Sequence, residues 1–551
     1  MINLEKEIEA YALRNALEYG KADPGRILPK LFQHGLKKEE IPNIMPKIQE
    51  IVKKINSLNE GEKQTRFLKL EGHVKAHEER QGLQELPNVK KKMVFRLAPY
   101  PSGALHIGNA KTYLLNALYA EKYKAKTILV MDDTIGSEEK QIMPDAYNMI
   151  EDAFEWLNVK YSKPIVYKSK RLKIYYKYAK ELIKKDKVYV CHCSQEILRE
   201  NRAIGKACGC RIFDPKIQMK RWKEMFKAKT GDAVLRIKTN MQHPNPAFRD
   251  RVLFRISERE HPKVGKKYSV WPTLEMSWAV DDHLLGITHI LRGNDLMMET
   301  EMEKYIWDIF KWKHPETIHT GLVRIEGIEG AKLSKSKAQK EVLSGQFMGW
   351  DDPRTWSIQS LRRRGFKPEV IRQFVEEIGL NKNDINVPVE NFYAINRKLR
   401  DRESMRYSFV KEPVEIKLTN NPGVTATKVP IHPDMEGKRE VKVKKLYISL
   451  EDFENLKGKE IRLVHLFNMV LNKDKTAQFT TVDNKEIPKI NWVSETVPCR
   501  ILMPDGVWAE GFAEKAVNKL KKEEFIQFER YGFCKFDGTN KGTYEFWFAH
   551  K

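Results

Sequence analysis

The stretch from Met93 to Met131 limits the fold of this chain more than any other. Met93 to Ala98 has the pattern of a strand and runs into a Pro/Gly turn, Pro99 to Gly103; a helix follows from about His106 to Tyr123, then a second strand, Thr127 to Met131. These lengths are those of a βαβ unit. In open α/β sheets ligands sit just past the carboxyl ends of the strands. The first strand ends in the turn and the second in Asp132 and Asp133, so the site is expected near residues 96–109 and 132–134.

The rest of the chain arranges itself around that unit. Residues 1–90 read as a helical extension, with apolar positions at spacings of three and four (Ile8, Leu13, Leu17; Ile41, Ile44, Ile48, Ile51, Ile55) among many Lys and Glu. Residues 91–188 form the first half of the sheet domain and continue into helices rich in Tyr and Lys. Residues 189–269 are an insertion that mixes strands (Ala233–Ile237, Val252–Ile256) with basic loops. The sheet domain resumes over 270–340, with a helix at Ser277–Leu285, a strand at Ile287–Leu291, a helix over 297–312, a strand at Thr320–Arg324 and a Gly/Lys/Ser loop at 327–338. Residues 341–404 read as helical. From 405 to 551 the period falls to two (Val414/Ile416/Leu418, Val441/Val443, Phe479/Val482, Phe525/Phe528, Phe546/Phe548), predicting one or two β-barrels.

A net charge of +24 over 551 residues points to a polyanionic partner, nucleic acid before membrane. With 41% hydrophobic and 10% aromatic residues the chain has ample material for buried cores. No run of about eighteen uncharged apolar residues occurs, and the charged start MINLEKEIEAYALRN is unlike a signal peptide, so a cytoplasmic protein is expected. Four of the six cysteines, Cys191, Cys193, Cys208 and Cys210, crowd together, which in a reducing compartment favours a metal over disulfides.

Two segments carry chemistry. In the turn Pro99-Tyr100-Pro101-Ser102-Gly103-Ala104-Leu105-His106-Ile107-Gly108-Asn109, a strand meets a helix N-terminus, whose amides and dipole favour phosphate; Gly103 and Gly108 allow a backbone or a flat nucleotide to come close. The loop Lys332-Leu333-Ser334-Lys335-Ser336, preceded by Gly327 and Gly330, places two ammonium groups and two hydroxyls where they can close on a triphosphate. Alone, the first is also a plain helix start and the second a solvated loop. Together they resemble the HIGH and KMSKS signatures of class I aminoacyl-tRNA synthetases. The flanking text, Arg96 to Gly103, Met131-Asp132-Asp133-Thr134 and Val280 to His289, is similar to the glutamyl and glutaminyl members. The likeness extends to Phe528-Glu529-Arg530-Tyr531-Gly532-Phe533 and is nearest the archaeal type of glutamyl-tRNA synthetase.

That resemblance implies a multidomain chain: a Rossmann-like class I catalytic domain, an inserted α+β acceptor-stem domain, an N-terminal helical extension, and a C-terminal β-barrel region that receives the anticodon. It implies ligation of L-glutamate to tRNA(Glu) with ATP and Mg²⁺; the residues neither demand nor exclude tRNA(Gln) as a further acceptor. It assigns catalysis to His106, Asn109, Lys332 and Lys335, and nucleotide contacts to Pro99, Ser102, Gly103, Gly108, Ser334 and Ser336 beside them. For the amino acid it implies Arg96, Ala98, Tyr100, Asp132, Leu274 and Arg292. Arg292 separates the two specificities, because glutaminyl enzymes carry a small uncharged residue there and a second carboxylate needs a cation; an arginine capping the strand end is the alternative. A glutaminyl enzyme and a catalytically degenerate tRNA-binding paralogue are the rivals. Asn109 stands where a second His is usual, Val130 where Arg is, Ile135 where Asp or Asn is, and Leu274 where a pocket Tyr is.

The Cys-x-Cys pairs 191/193 and 208/210 have the spacing of a tetrahedral Zn²⁺ site that would staple a small insertion structurally, reduced metal-free cysteines being the alternative. His192 is expected to face solvent. The basic runs Arg199/Arg202/Lys206/Arg211, Lys220/Arg221/Lys223/Lys227/Lys229 and Arg362-Arg363-Arg364 suit phosphate contacts, or solvated helix faces. Phe528, Tyr531, Phe533, Phe546 and Trp547 are candidates for stacking on bases or for barrel core. The sequence expects neither membrane nor DNA as partner and leaves monomer and homodimer equally open.

Overall fold

A strand followed by a tight turn and an apolar helix is what the computed structural model shows over residues 94–122. It describes residues 4–74, 82–136, 141–328, 335–420 and 422–551, with the backbone alone at 18, 19, 33, 38 and 335–337. The chain divides into two units, Met1–Gln81 and Gly82–Lys551.

Among the described residues the first unit has four α-helices, α1 (Glu5–Tyr19), α2 (Pro24–Leu31), α3 (Ile41–Asn56) and α4 (Glu60–Leu70), with short 3-10 turns between and after them. Their apolar stripes meet in a core of Ile8, Leu13, Ile27, Leu31, Ile48, Val52 and Ile55, as the three-and-four spacing predicts. A capping box between Asn59 and Glu62 starts α4.

In the second unit β1 (Val94–Leu97), α5 (Ile107–Lys122) and β2 (Lys126–Met131) form the expected βαβ unit, with β1 and β2 parallel. After α6 (Ala146–Trp156) comes β3 (Ser162–Tyr167), parallel to β2, before α7 (Leu172–Lys184). The sequence reading ran this region as helix throughout. The six residues of β3, SKPIVY, include a proline and do not alternate, so no period of two marks a strand between the helices.

The insertion is an antiparallel sheet of β4 (Val188–Cys191), β5 (Val234–Ile237), β6 (Val252–Ile256) and β7 (Val270–Pro272), with α8 (Gln195–Ile204) and α9 (Pro215–Met225) between β4 and β5. Then α10 (Leu274–Leu284) leads back to β8 (His289–Gly293), α11 (Met297–Phe310) and β9 (Glu316–Thr320), with β8 and β9 parallel. The amide of Thr288 donates to Val94 O (3.0 Å) and that of Val94 to Thr288 Oγ1 (2.9 Å), which sets β8 along the edge of β1 that β2 leaves open. The predicted strand Thr320–Arg324 is instead the end of β9 and the start of β10 (Val323–Glu326), separated at Gly321. A Cβ there would run into the backbone of Asn383, so the chain breaks its strand to pass this loop. Strand β10 pairs with β11 (Ile385–Pro388). Helix α12 (Lys335–Leu343) begins inside the stretch 327–338 that the sequence reads as a loop, and α13 (Ile358–Arg363), α14 (Pro368–Ile378) and α15 (Val389–Arg400) lie in the region read as helical, which β11 interrupts.

Among the described residues the tail holds two closed sheets and a separate two-stranded hairpin, Ala426–Pro430 with Lys438–Lys442, to which the predicted Val441/Val443 strand belongs. In the seven-stranded one, Arg406–Tyr407 lies at one edge and Phe409–Lys411 at the other; being neighbours in sequence, they close the barrel. In the six-stranded one, Tyr447 of an edge strand bonds in both directions to Val493, just past the opposite edge strand Lys489–Ile490. Phe528, Phe533, Phe546 and Trp547 are all buried, and Tyr531 half-buried against the same cores, so these rings are structural in place of a stacking platform. Of the run Arg362–Arg364 the first is exposed, the second half-buried and only the third internal. Arg362 pairs with Asp152 and Arg363 with Asp351 and Asp537, while Arg364, fully buried, donates to the carbonyls of Phe548 and Ala549. Among the described residues no helix is long and apolar enough to cross a membrane.

Candidate active site

The turn after β1 is held by its own helix. His106 is the N-cap of α5, its Nδ1 accepting from the amides of Gly108 (3.1 Å) and Asn109 (3.3 Å). With Nδ1 an acceptor, the ring proton of the neutral form sits on Nε2, a donor for an oxyanion. A Cβ at Gly108 would lie 3.1 Å from that ring, so the glycine makes room for the cap. Asn109 Oδ1 is buried and has no hydrogen-bond partner among the described residues. Pro99 O accepts from the Asp132 amide (3.0 Å), fastening the turn to the end of β2.

Gly103 has φ +146°, and its missing side chain is filled by the indole of Trp350. Trp350 belongs to the segment after α12. A few residues on, Ile107 N donates to Trp356 O (3.2 Å) and Ile358 N to Leu105 O (2.8 Å), with His106 and Ser357 bridged as in an antiparallel pair. The chain leaving the second signature is thus bonded to the first. Lys332, Leu333 and Ser334 lie outside the described residues, and Lys335 and Ser336 open α12 with their backbone alone described.

Past the strand ends lies a set of buried charges. Arg96 on β1 donates Nε and Nη2 to the two oxygens of Asp282 on α10 (2.6 and 3.1 Å), its guanidinium 3.5 Å from the ring centroid of Trp278. Lys168, fully buried after β3, lies 2.8 Å from Asp132 Oδ1, donates to Ser277 Oγ (2.8 Å), and sits 3.4 Å from the same centroid. Burial lowers the Lys168 pKa, with Asp132 opposing. Asp132 and Asp133 divide the work at the end of β2. Asp133 accepts from Ser169 N and Oγ and from Tyr147 OH (2.8, 2.7 and 3.0 Å), and burial raises its pKa; it ties three elements together while Asp132 turns to Lys168.

Arg292 on β8 is 4% exposed. Its Nη1 donates to Glu303 Oε2 (2.8 Å) and Thr300 Oγ1 (2.9 Å), its Nη2 to Glu303 Oε1 (3.1 Å), while Nε, buried, has no partner among the described residues. Glu303, on α11, has its pKa pushed up to about 7 by burial, with Arg292 pulling the other way. Of the other expected residues, Tyr100 is half-buried and its hydroxyl pKa raised by burial and by Asp132; Ala98 and Leu274 pack against the core that holds Val130, Trp271 and Trp278, Leu274 as the first residue of α10; Ser102 is half-buried. Val130 and Ile135 are core residues.

The four cysteines converge. Their sulfurs lie within 4.8 Å of one another, Cys208 Sγ being 3.5 Å from Cys191 and 3.4 Å from Cys193. Tetrahedral zinc with Zn–S bonds of about 2.3 Å needs S–S separations of about 3.8 Å, so small shifts suffice. Arg236, buried, sends Nη1 toward Cys191 Sγ (3.9 Å), and its Nη2 is without a partner among the described residues. This cation suits a thiolate cluster carrying net negative charge. His192 is exposed. Of the basic residues around it, Arg199, Lys206, Lys220, Lys223, Lys227 and Lys229 are exposed; Arg211 is tied to Thr239 O and Asp250, and Arg221 stacks on Phe213.

Residues 92–401 match the family model of the class I tRNA synthetases (E and Q), catalytic domain, and 404–485 and 489–537 match the two anticodon-binding domains of the same group. The chain belongs to the class I tRNA synthetases of the E and Q group. This synthetase is 37% identical to the glutamate–tRNA ligase of Methanocaldococcus jannaschii, 39% to that of Pyrococcus abyssi and 40% to that of Pyrococcus furiosus, each over the whole of both chains. A solved glutamate tRNA ligase from Elizabethkingia meningosepticum is 18% identical, with a TM-score of 0.41 over 56% of this chain and 69% of that one.

Within the synthetase the geometry gathers Arg96 and Asp132, each with a protein partner, at the ends of adjacent strands, and adds residues that sequence reasoning missed: Lys168, Trp278, Asp282, Thr300 and Glu303. Asp282 stood in the quoted Val280–His289 text without a role. Lys168 is one lysine of the run Tyr167-Lys168-Ser169-Lys170-Arg171, and Glu303 one of several acids on α11; nothing local marks either.

Proposed function

We propose that this chain ligates L-glutamate to tRNA(Glu), activating the amino acid with ATP. One observation carries the reading: a buried guanidinium, Arg292, stands at the end of β8 with its Nε unpartnered among the described residues. A site for a neutral side chain has no use for such a group. The catalytic half-domains 91–188 and 270–340, the acceptor-stem insertion 189–269, the stem-contact helices 341–404 and the barrels 405–551 are the working divisions of that reading.

In the first step a glutamate carboxylate oxygen attacks the α-phosphorus and pyrophosphate leaves. In the second, the 2′-hydroxyl of the terminal ribose attacks the acyl carbon and AMP leaves. Alignment and charge stabilisation matter more here than a strong base. Capping fixes His106 with Nε2–H as donor to a phosphate oxygen. Asn109 Oδ1, buried and unsatisfied among the described residues, awaits a donor such as a ribose hydroxyl. Lys332 and Lys335 supply cations for the departing pyrophosphate, and Mg²⁺, when bound to the phosphates, screens their charge. Asp132 takes the α-ammonium, sharing its negative charge with Lys168. Cys191, Cys193, Cys208 and Cys210 hold a structural Zn²⁺, supported by Arg236 beside them.

The test is ATP-dependent transfer of labelled amino acid to a tRNA pool. Transfer of glutamate is expected; transfer of glutamine alone, or silence with intact tRNA binding, overturns the reading. Arg292→Cys is expected to abolish glutamate use.

A further inference from the structure

An arginine offers a carboxylate two matched forks, the Nη1/Nη2 end and the Nε/Nη2 side. On Arg292 the end is taken: Glu303 spans Nη1 and Nη2, and Thr300 accepts the second Nη1 hydrogen. What is left is the side fork, whose Nε is buried without a partner among the described residues. Glu303 itself is completely buried and cannot swing out to water without dragging α11 with it.

With the substrate's side-chain carboxylate on the Nε/Nη2 fork that remains, we propose that Glu303 is the positioning residue that fixes the Arg292 guanidinium by its opposite end while competing with the substrate for its charge. This deepens the reading above and rests on it.

Two carboxylates on one guanidinium leave a net negative charge in a buried place, and charge of that kind is relieved by a proton. The groups facing Glu303 do not supply a further cation. Arg292 comes from β8, Asp282 from α10 and Arg96 from β1, the last two already paired with each other. On α11 itself Glu299 adds negative charge near Arg292 and is paired in turn with Arg251 of the insertion (2.7 Å), which Glu275 also holds. From β9, His319 reaches Thr300 (3.0 Å), its own pKa lowered by burial. The proton therefore goes to Glu303, whose pKa near 7 is already high before substrate arrives. Below that pH Glu303 is neutral and Arg292 has its charge for the substrate; above it, Glu303 competes. Glutamate binding weakens as the pH rises through neutrality, with the substrate's own groups titrating outside this window.

The experiment measures KM and kcat for glutamate in tRNA charging by the full chain from pH 6 to pH 8.5, with ATP and tRNA saturating. The wild-type KM is expected to rise about tenfold between pH 6 and 8 while kcat changes less than about twofold. Glu303→Gln should flatten that rise to under about twofold, and Glu303→Asp, which keeps the charge, should retain it. A flat wild-type KM with glutamate still charged overturns the proposal, as does a Glu303→Gln slope equal to the wild type. Should Glu303→Gln fail to fold, His319→Asn decides: a surviving slope supports Glu303, and a lost one overturns it. No glutamate transfer at any pH overturns the ligase reading instead, a result distinct from transfer with a flat KM.

Discussion

Adding one methyl group at Gly103 should uncouple the two signature segments. The glycine has φ +146°, a region that favours glycine, and an alanine Cβ would press on Cη2 and Cζ2 of Trp350 and lie 3.0 Å from Cζ3. The indole cannot step aside cheaply. It is 8% exposed, and the Trp350 carbonyl accepts from Thr355 Oγ1 (2.8 Å) and Ser357 Oγ (2.5 Å). Overpacking of this kind costs about 1–3 kcal/mol and the backbone conformation about 1–2 kcal/mol more, so Gly103→Ala should weaken the joint by about 2–5 kcal/mol. The chain has several domains, so a global melt does not isolate this term; hydrogen exchange of segments 99–109 and 350–358 does. Both segments should exchange between about thirtyfold and about five-thousandfold faster. Trp350→Ala alone should also loosen them, but in that background Gly103→Ala should retain only its backbone part, a coupling of about 1–3 kcal/mol. Additive effects within about 0.5 kcal/mol would refute the contact as the cause.

Asp282→Asn removes the charge that Arg96 faces at 2.6 Å in the interior. We expect a loss of about 3–5 kcal/mol, read as a lower melting temperature of the sheet domain, together with a raised KM for glutamate. The ring of His550 sits in the core with Nδ1 donating to Lys551 O and Nε2 accepting from Asn396, and burial lowers its pKa from 6.5 to about 4. The unfolded chain takes up a proton below pH 6.5 that the folded one refuses until about pH 4, so stability falls with pH across that window, by about 2 kcal/mol at pH 5. Exchange protection of Thr543–His550 should track this and lose its pH dependence in His550→Gln. Purified protein should carry about one zinc per chain; a strong chelator or Cys208→Ser should expose 191–232 to protease and spare the barrels. Metal content well below one equivalent after gentle preparation would count against the site.

What was legible in the sequence was whatever local periodicity or spacing encodes. The βαβ unit, the barrel strands, the cysteine pairs and the helical stripes of residues 1–70 each repeat a pattern within one element, and the structure contains each of them. What escaped depends on partners far away in the chain. Strand β3 has no alternation of its own and is a strand because β2 offers it an edge. Gly103 promised room for a ligand, yet the room is filled by a tryptophan nearly 250 residues further on, a distance that no local pattern spans.

Charge shows the same division most sharply. Every arginine in the chain looks alike in sequence, and runs that mix Arg with Lys predict an RNA-binding footprint. In the fold Arg364 holds the last strand, Arg211 an aspartate of the insertion, and Arg96 and Arg292 each a buried carboxylate, while the exposed positive charge beside the cysteine cluster is chiefly lysine. A buried guanidinium needs a fixed partner to be tolerated, and its planar fork rewards one; an ammonium is cheaper to leave in water. The consequence for nucleic-acid binding is specific. Salt-dependent affinity for tRNA should respond to Lys220, Lys223, Lys227 and Lys229, each replacement lowering the salt slope by about one, and Arg364→Lys should instead loosen the C-terminal strand with the slope unchanged. Salt titrations of tRNA binding for the two sets decide it: a slope lowered by the Arg364 change in a protein that keeps its exchange protection would place that arginine on the RNA after all.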